Sequence, residues 1–241
     1  MLNYIFSIHI ISRWKTIVVW SASMFLLALM FSGLYDSFKG EISDMIDNAP
    51  KLMEAMIGPL PKDTVTPESW LGIELYGLLF PILLGVIAVS AGASAIGAEE
   101  ESGTIELILA SPISRGRVVL EKSLGIMIQL AIVSGFLWVG IAIGSILFPF
   151  DVSLSNVLAA TAMGWIFGTT VAYISMSAQA LKGRKGLALG VGSGVVGLSY
   201  VMMVMSELLD GLNSLKYISL FNYYDGPSVL INGLNETSFA V

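Results

Sequence analysis

The chain has 241 residues, of which 55% are hydrophobic and only 12% are charged, and its mean hydropathy is +0.81. A soluble domain needs more charge than this to cover its surface, so the composition excludes a soluble globular protein and predicts a membrane protein. The absence of cysteine excludes disulfides and thiolate metal sites. The formal net charge is −6, but in a membrane protein the distribution of Lys and Arg among the loops carries more information than the sum.

Five apolar runs are long enough to cross a bilayer, whose hydrocarbon core of about 30 Å takes roughly 20 helical residues. They are residues 16–35, 75–98, 124–148, 157–181 and 187–205. Lipid offers backbone groups no hydrogen-bond partner, and the alternation of a lumen-facing barrel strand is missing, so each run is predicted to be a helix. The predicted fold is an all-α integral membrane protein, a polytopic helical bundle that forms one transmembrane domain over residues 1–241.

The basic residues predict the orientation of these spans. Eight of them fall on one side: Arg13, Lys15, Arg115, Arg117, Lys122, Lys182, Arg184 and Lys185. By the positive-inside rule this side is cytoplasmic, so the N-terminus is inside and the acid-rich loop 36–70 is outside. A short helix around Lys51 to Ile57 is expected within that loop, between Pro50 and Gly58-Pro59.

Five crossings leave the C-terminal segment, residues 206–241, on the outer side. It is rich in Tyr, Asn and Gly, which is typical of a membrane interface, and it ends on an apolar Phe-Ala-Val. We expect a sixth span to begin there and to be missing from this chain. A true five-span protein with an external tail is the alternative.

Two glycine patterns occur in the fifth run. "GSGVVG" (Gly192 to Gly197) matches G-x-G-x-x-G, but no strand precedes it, so a nucleotide site is not indicated. Gly186, Gly190 and Gly194 are spaced four apart and share one helix face, which predicts close packing of another helix. The sequence has no G-x-x-x-x-G-K-[ST] phosphate loop and therefore does not bind ATP by that route.

The stretch "EEESGTIELILASPISRGRVVLEK", residues 99–122, interrupts the apolar sequence. A carboxylate at the bilayer centre costs about 2.5–3.5 kcal/mol, so Glu99 to Glu101 should mark the cytoplasmic exit of the second span. Ile105, Ile108 and Leu109 would share a face of a short amphipathic helix that Pro112 ends, and Ser114 can cap the next helix. An ordinary interfacial loop with snorkelling Lys and Arg is the alternative.

This stretch resembles the cytoplasmic segment after the second transmembrane helix in permeases of ABC-2-type ABC transporters. The shared pattern is an acidic pair before Gly-Thr, a Glu-Leu-rich helix, a Ser-Pro corner, and a Ser-Arg followed by a Lys. The matching residues are Glu99, Glu100, Gly103, Thr104, Glu106, Leu107, Ser111, Pro112, Ser114, Arg115 and Lys122. The rest of the organisation is similar too, with an N-terminal helix from Leu2 to Lys15 and a long outer loop.

The resemblance implies a multi-pass permease of the plasma membrane that pairs with a second permease copy or homologue and with two cytoplasmic ABC ATPase subunits. Residues 99–122 would form the coupling element seated in the ATPase, and the N-terminal helix would lie along the membrane surface. ATP and magnesium would bind the partner ATPase, so this chain needs no cofactor and is not an enzyme. No nucleic-acid partner is expected. The aliphatic and aromatic spans suggest export of a hydrophobic or amphipathic substrate.

An intramembrane protease and a non-transporting membrane component are the alternative functions. An intramembrane protease of the CAAX type needs an Arg where this chain has Ile105, and His9 is the only histidine, so no paired-histidine metal site can form. A non-transporting membrane component of an ABC-type envelope or resistance system remains open. Gln129 and Gln179 lie within apolar runs and are expected to be interhelical hydrogen-bond partners.

Overall fold

The computed structural model describes residues 10–47, 66–95, 114–209 and 211–233. Within these ranges there is no strand, and five helices are long and apolar enough to cross a membrane, which confirms the predicted all-α polytopic fold. The helices are α1 (Trp14–Asp47), α2 (Pro67–Ala93), α3 (Arg115–Leu147), α4 (Leu154–Lys182), α5 (Lys185–Leu208) and the short α6 (Gly226–Asn232). Two 3-10 helices, Asn213–Ile218 and Leu220–Tyr223, connect α5 to α6.

Helix α1 is longer than its predicted span. Its 34 residues extend for about 51 Å at 1.5 Å per residue, which is more than a bilayer core requires. The helix therefore continues past residue 36 into the predicted outer loop as far as Asp47. The first part of the predicted outer loop, residues 36–47, is therefore helical, and its place outside the membrane stays a prediction. The predicted helix at 51–57 lies outside the described residues.

Helix α2 begins at Pro67, eight residues before the predicted start of the second span. Thr66 and Ser69 form a capping box in which each side chain bonds the other's backbone N–H, at 3.2 and 2.8 Å, and Pro67 occupies the first turn. The acids Glu68 and Glu74 interrupt the apolar run, and a search for charge-free runs therefore missed this start. The indole of Trp70 is buried and donates to the carbonyl oxygen of Phe31 at 2.9 Å, which ties α2 to α1.

After its first turn, α2 has π-helical geometry from Leu71 to Leu79. A π-helix bonds each carbonyl to the N–H five residues later, and for Tyr76 that residue is Pro81, which has no N–H. The orphaned carbonyl of Tyr76 instead accepts a hydrogen bond of 2.8 Å from the hydroxyl of Tyr224. A donor from outside the helix thus satisfies the carbonyl that Pro81 leaves free.

The helices pack in a chain of neighbours: α1 lies mainly on α3, α3 on α4, and α4 on α2 and α5. Helix α5 is the most exposed of the five. We call the end of the bundle that holds Arg13 and Lys122 the basic end, and the opposite end, which holds Glu68 and Asp151, the acidic end.

The segment after α5 folds back into the bundle. Phe221 packs against Phe167 with ring centroids 5.0 Å apart, and Phe167 lies about 20 Å along α4 from its acidic end. The buried hydroxyl of Ser219 donates to the carbonyl of Ser199, within α5, at 2.7 Å. Residues 213–232 therefore form a re-entrant segment between the helices. Phe221 and Tyr224 of this segment are buried in the bundle, whereas Tyr217 and Tyr223 are exposed. Its place on the outer side of the membrane stays a prediction.

Candidate functional site

The basic end of α2 is held by two cations from other helices. The helix ends at Ala93, and Ser94 leaves helical geometry with φ −100° and ψ 2°. The guanidinium of Arg13 donates to the carbonyl of Ser94 at 3.2 Å, and the ammonium of Lys122 donates to the carbonyl of Ala95. Cations at a helix C-terminus offset the negative end of its dipole and satisfy its last carbonyls.

The exit of α2 differs from the prediction. The second span was expected to reach residue 98, but the helix stops at Ala93 and a turn follows at Ser94 and Ala95. Ala95 is 2% exposed, so the chain is still inside the protein at this point. The glutamates at 99–101, predicted to mark the cytoplasmic exit of this span, lie outside the described residues.

The first turns of α3 carry the other side of this site. The hydroxyl of Ser114 accepts from the N–H of Arg117 at 3.4 Å, which confirms the predicted helix cap. One turn later, the Nε of Arg117 pairs with a carboxylate oxygen of Glu121 at 2.9 Å. Glu121 is 2% exposed, and the sequence analysis gave it no role.

Of the residues predicted to couple to an ATPase, Ser114, Arg115 and Lys122 are within the described ranges, although the side chain of Arg115 is not. The others lie outside the described residues: Glu99, Glu100, Gly103, Thr104, Glu106, Leu107, Ser111 and Pro112. Ser114 is exposed at the start of α3, whereas Lys122 is 3% exposed and its ammonium points into the bundle, toward the Ala95 carbonyl. The structure thus separates two residues that the sequence pattern had grouped.

Next to the exit of α2, three helices meet closely through small residues. The hydroxyl of Ser175 on α4 lies 3.1 Å from the carbonyl oxygen of Val89 and 3.0 Å from that of Ala188, so it can donate to either α2 or α5. A Cβ at Gly92 would collide with the backbone carbonyl of Ala172, and one at Gly192 would lie 3.0 Å from Ser175. We call this contact of α2, α4 and α5 the basic-end joint.

The glycine face of α5 that was predicted for helix packing is open in this structure. A Cβ at Gly186, Gly190 or Gly194 would meet nothing within 4 Å, so no described part of this chain packs there. The packing glycine of α5 is Gly192, on the opposite side of the helix. Packing of the Gly186–Gly190–Gly194 face against another chain stays a prediction.

Ionisable groups are scarce between the ends of the spans. Among the described residues of the five spans, every acid and base lies within about two turns of an end of its span; Glu74, seven residues from Pro67, is the deepest of them and is half-buried. Gln129 is 1% exposed and its amide oxygen has no partner among the described residues, while Gln179 is fully buried. The described residues contain no group of three or more His, Cys, Asp or Glu side chains that could hold a metal ion.

Comparison with known proteins agrees with this architecture. The model of a family described as "ABC-2 family transporter protein" matches residues 7–225. The chain therefore belongs to the ABC-2 family and is a membrane component of an ABC transporter. This confirms the family that the coupling motif had indicated.

One curated relative is the probable ABC transporter permease protein NosY of Stutzerimonas stutzeri. It is 30% identical over 124 residues, which cover 47% of this chain and 44% of that protein. The match thus spans less than half of the length of this relative. No solved structure matches the chain.

Proposed function

We propose that this chain is the permease subunit of an ATP-driven exporter, lies in the plasma membrane with its basic end in the cytoplasm, and couples hydrolysis by a separate ABC ATPase to transport. ATP and magnesium bind that partner. Two permeases, identical or homologous, complete the pathway.

One observation carries this proposal. The segment 96–113, which we call the coupling segment, joins Ala95 to Ser114. Both residues lie at the basic end, where the Ala95 carbonyl is bonded to Lys122 of α3 and Ser114 caps the same helix. The basic-end joint lies directly beside this site, since Gly92 is three residues from Ala95. A push on the segment would therefore reach α2, α3, α4 and α5 through direct contacts. A mechanical input needs such rigid connections.

The orientation can be tested by labelling, because the chain has no native cysteine. Ser114→Cys and Asp151→Cys place single thiols at exposed positions on the basic and acidic ends. An impermeant maleimide added to intact cells should label only the thiol at position 151, and permeabilisation should expose position 114. The reverse pattern would refute the proposed orientation.

ATPase coupling can be tested by affinity purification of the chain in mild detergent, with mass spectrometry of its partners. An ABC ATPase should co-purify in stoichiometric amount and hydrolyse ATP. Gly103→Trp and Arg115→Glu should lower its recovery while the permease still inserts. The control is Arg184→Glu, an exposed basic residue of the α4–α5 loop outside the coupling segment, which should leave recovery unchanged.

A hydrophobic or amphipathic substrate is supported by the scarcity of ionisable groups along the spans, since the described acids and bases all lie within about two turns of an end of a span. In proteoliposomes that contain the permease and its ATPase, a fluorescent phospholipid should move between leaflets faster with ATP than without it. A purified complex that hydrolyses ATP but moves neither this probe nor any amphiphile tested would favour the non-transporting envelope component.

A further inference from the structure

The burial of Lys122 is the starting point. Its position in the sequence motif resembles that of residues that face an ATPase, yet the side chain is 3% exposed and donates to the carbonyl of Ala95 inside the same chain. An ammonium in this position cannot be offered to another protein without first breaking the internal bond. Lys122 therefore acts within the permease rather than at its surface.

The contacts of Lys122 close a loop. The coupling segment follows Ala95 and precedes Ser114, which lies two turns before Lys122 at the start of α3. The bond from Lys122 to Ala95 therefore joins the exit of α2 to the base of α3. Arg13 makes a parallel contact from the start of α1 to the adjacent carbonyl of Ser94, at 3.2 Å.

We propose that Lys122 is a positioning residue that clamps the C-terminal end of α2 to α3, with Arg13 extending the clamp to α1, so that both roots of the coupling segment move as one body. This inference rests on the proposed function, because the clamp matters for coupling only if an ATPase engages the segment. Without the clamp, α2 and α3 would receive the ATPase movement separately, and part of it would be lost in their relative motion.

The buried carbonyls explain why a cation serves here. Ser94 and Ala95 follow the last turn of α2, where the carbonyls lack helical partners and the helix dipole is negative. A charge-assisted hydrogen bond is stronger than a neutral one, and a long Lys side chain can reach from the neighbouring helix. Arginine can supply the same bond, whereas methionine fills similar volume with no donor.

The test uses the full chain in detergent, alone and with its co-purified ATPase, and compares Lys122→Met with Lys122→Arg. Hydrogen exchange followed by mass spectrometry should show the amides of the peptide around Ser94 and Ala95 exchanging about 10- to 100-fold faster in Lys122→Met, as expected when one charge-assisted hydrogen bond is lost. A peptide around Phe167, in the middle of α4, should exchange as in the wild type. Lys122→Arg should restore most of the protection, and Arg184→Met is the matched control at an exposed basic residue.

The second readout is coupling. The Lys122→Met permease should still bind the ATPase, but it should stimulate ATP hydrolysis by that ATPase less than the wild type does. Lys122→Arg should recover the stimulation.

Unchanged hydrogen exchange at Ser94 and Ala95 in Lys122→Met would overturn the clamp. If ATPase binding were also lost while exchange stayed unaltered, Lys122 would be an interface residue instead. If no ATPase binds even the wild type, the proposed function fails while the exchange result still decides whether the clamp exists. If Lys122→Met does not accumulate, Arg13→Gln tests the same site through its other cation.

Discussion

Removing the hydrogen bond from the Tyr224 hydroxyl to the Tyr76 carbonyl should lower the free energy of unfolding more than removing most other single hydrogen bonds of this protein. Tyr224→Phe deletes the hydroxyl and leaves the Tyr76 carbonyl buried without a donor, because the π-helical partner position is Pro81. An unsatisfied buried acceptor costs about 1–3 kcal/mol, and hydrogen bonds measured within membrane bundles average about 0.6 kcal/mol with a maximum near 1.7. We therefore expect Tyr224→Phe to lower the free energy of unfolding by about 1–2 kcal/mol.

Tyr76→Phe is the matched control, since it also removes one buried tyrosine hydroxyl. That hydroxyl lies 2.6 Å from the oxygen of Thr161, which already donates to the carbonyl of Val157 at 2.7 Å. The Tyr76 hydroxyl is therefore the donor of this pair, and its loss leaves the Thr161 hydrogen satisfied. We expect Tyr76→Phe to cost about 0.5 kcal/mol or less, the low end for a net hydrogen bond.

The decisive version is a double-mutant cycle with Pro81→Ala. Alanine restores an N–H near the Tyr76 carbonyl, so the hydroxyl of Tyr224 is no longer its sole donor, and Tyr224→Phe should cost about 1 kcal/mol less in the Pro81→Ala background. The measurement is SDS-induced unfolding of the purified protein in mixed micelles, followed by far-UV circular dichroism. Strict additivity of the two substitutions, or a Tyr76→Phe effect as large as that of Tyr224→Phe, would refute the account of the π-helix.

Two further predictions use the same unfolding assay. Gly92→Ala should destabilise the protein by several kcal/mol or prevent its accumulation, because the new Cβ would collide with the backbone of α4. Gly190→Ala, on the open face of α5, should leave the free energy of unfolding unchanged or raise it by up to about 1 kcal/mol, because alanine has the higher helix propensity. Similar effects at both positions would contradict the close approach of α2 to α4. Glu68→Gln should lower the free energy of unfolding by about 1 kcal/mol, because the Glu68 carboxylate accepts a hydrogen bond of 3.1 Å from the backbone N–H of Ser153 at the start of α4. The control is Asp151→Asn, at an exposed acid nearby, which should change the free energy of unfolding by less than about 0.5 kcal/mol.

The sequence was sufficient to predict the number and type of the spans, because apolar runs of bilayer length have few alternative structures. It was less reliable where a polar residue lies inside a helix. The start of α2 was missed because Glu68 and Glu74 broke the apolar run, although Thr66-Pro67 followed by Ser69 is a recognisable helix start. That signal could have corrected the boundary.

The site was only partly predictable, since a motif shows which residues share a segment but does not show which way each side chain faces. Ser114 and Lys122 both matched the family pattern, yet one is exposed and the other is buried. The Lys122 side chain points inward because α2 ends close to it, and the apolar run predicted that end five residues too late. The burial of Glu121 also depends on how α3 packs against its neighbours, and the sequence pattern alone does not show that packing.

The distribution of residue size along the bundle links the re-entrant segment to the basic-end joint. At the basic end, α2, α4 and α5 meet through Gly92, Ser175 and Gly192, which allow close approach. Nearer the acidic end, Phe221 of the re-entrant segment lies between Phe167 of α4 and Tyr200 of α5, with ring centroids 5.0 and 5.5 Å away. Helices α4 and α5 thus meet through small residues at one end and through an inserted aromatic side chain toward the other. If the joint moves as a unit when the coupling segment is displaced, we expect α4 and α5 to move relative to each other mainly where Phe221 lies between them. That movement would strain the hydrogen bonds from the re-entrant segment to α2 and α5.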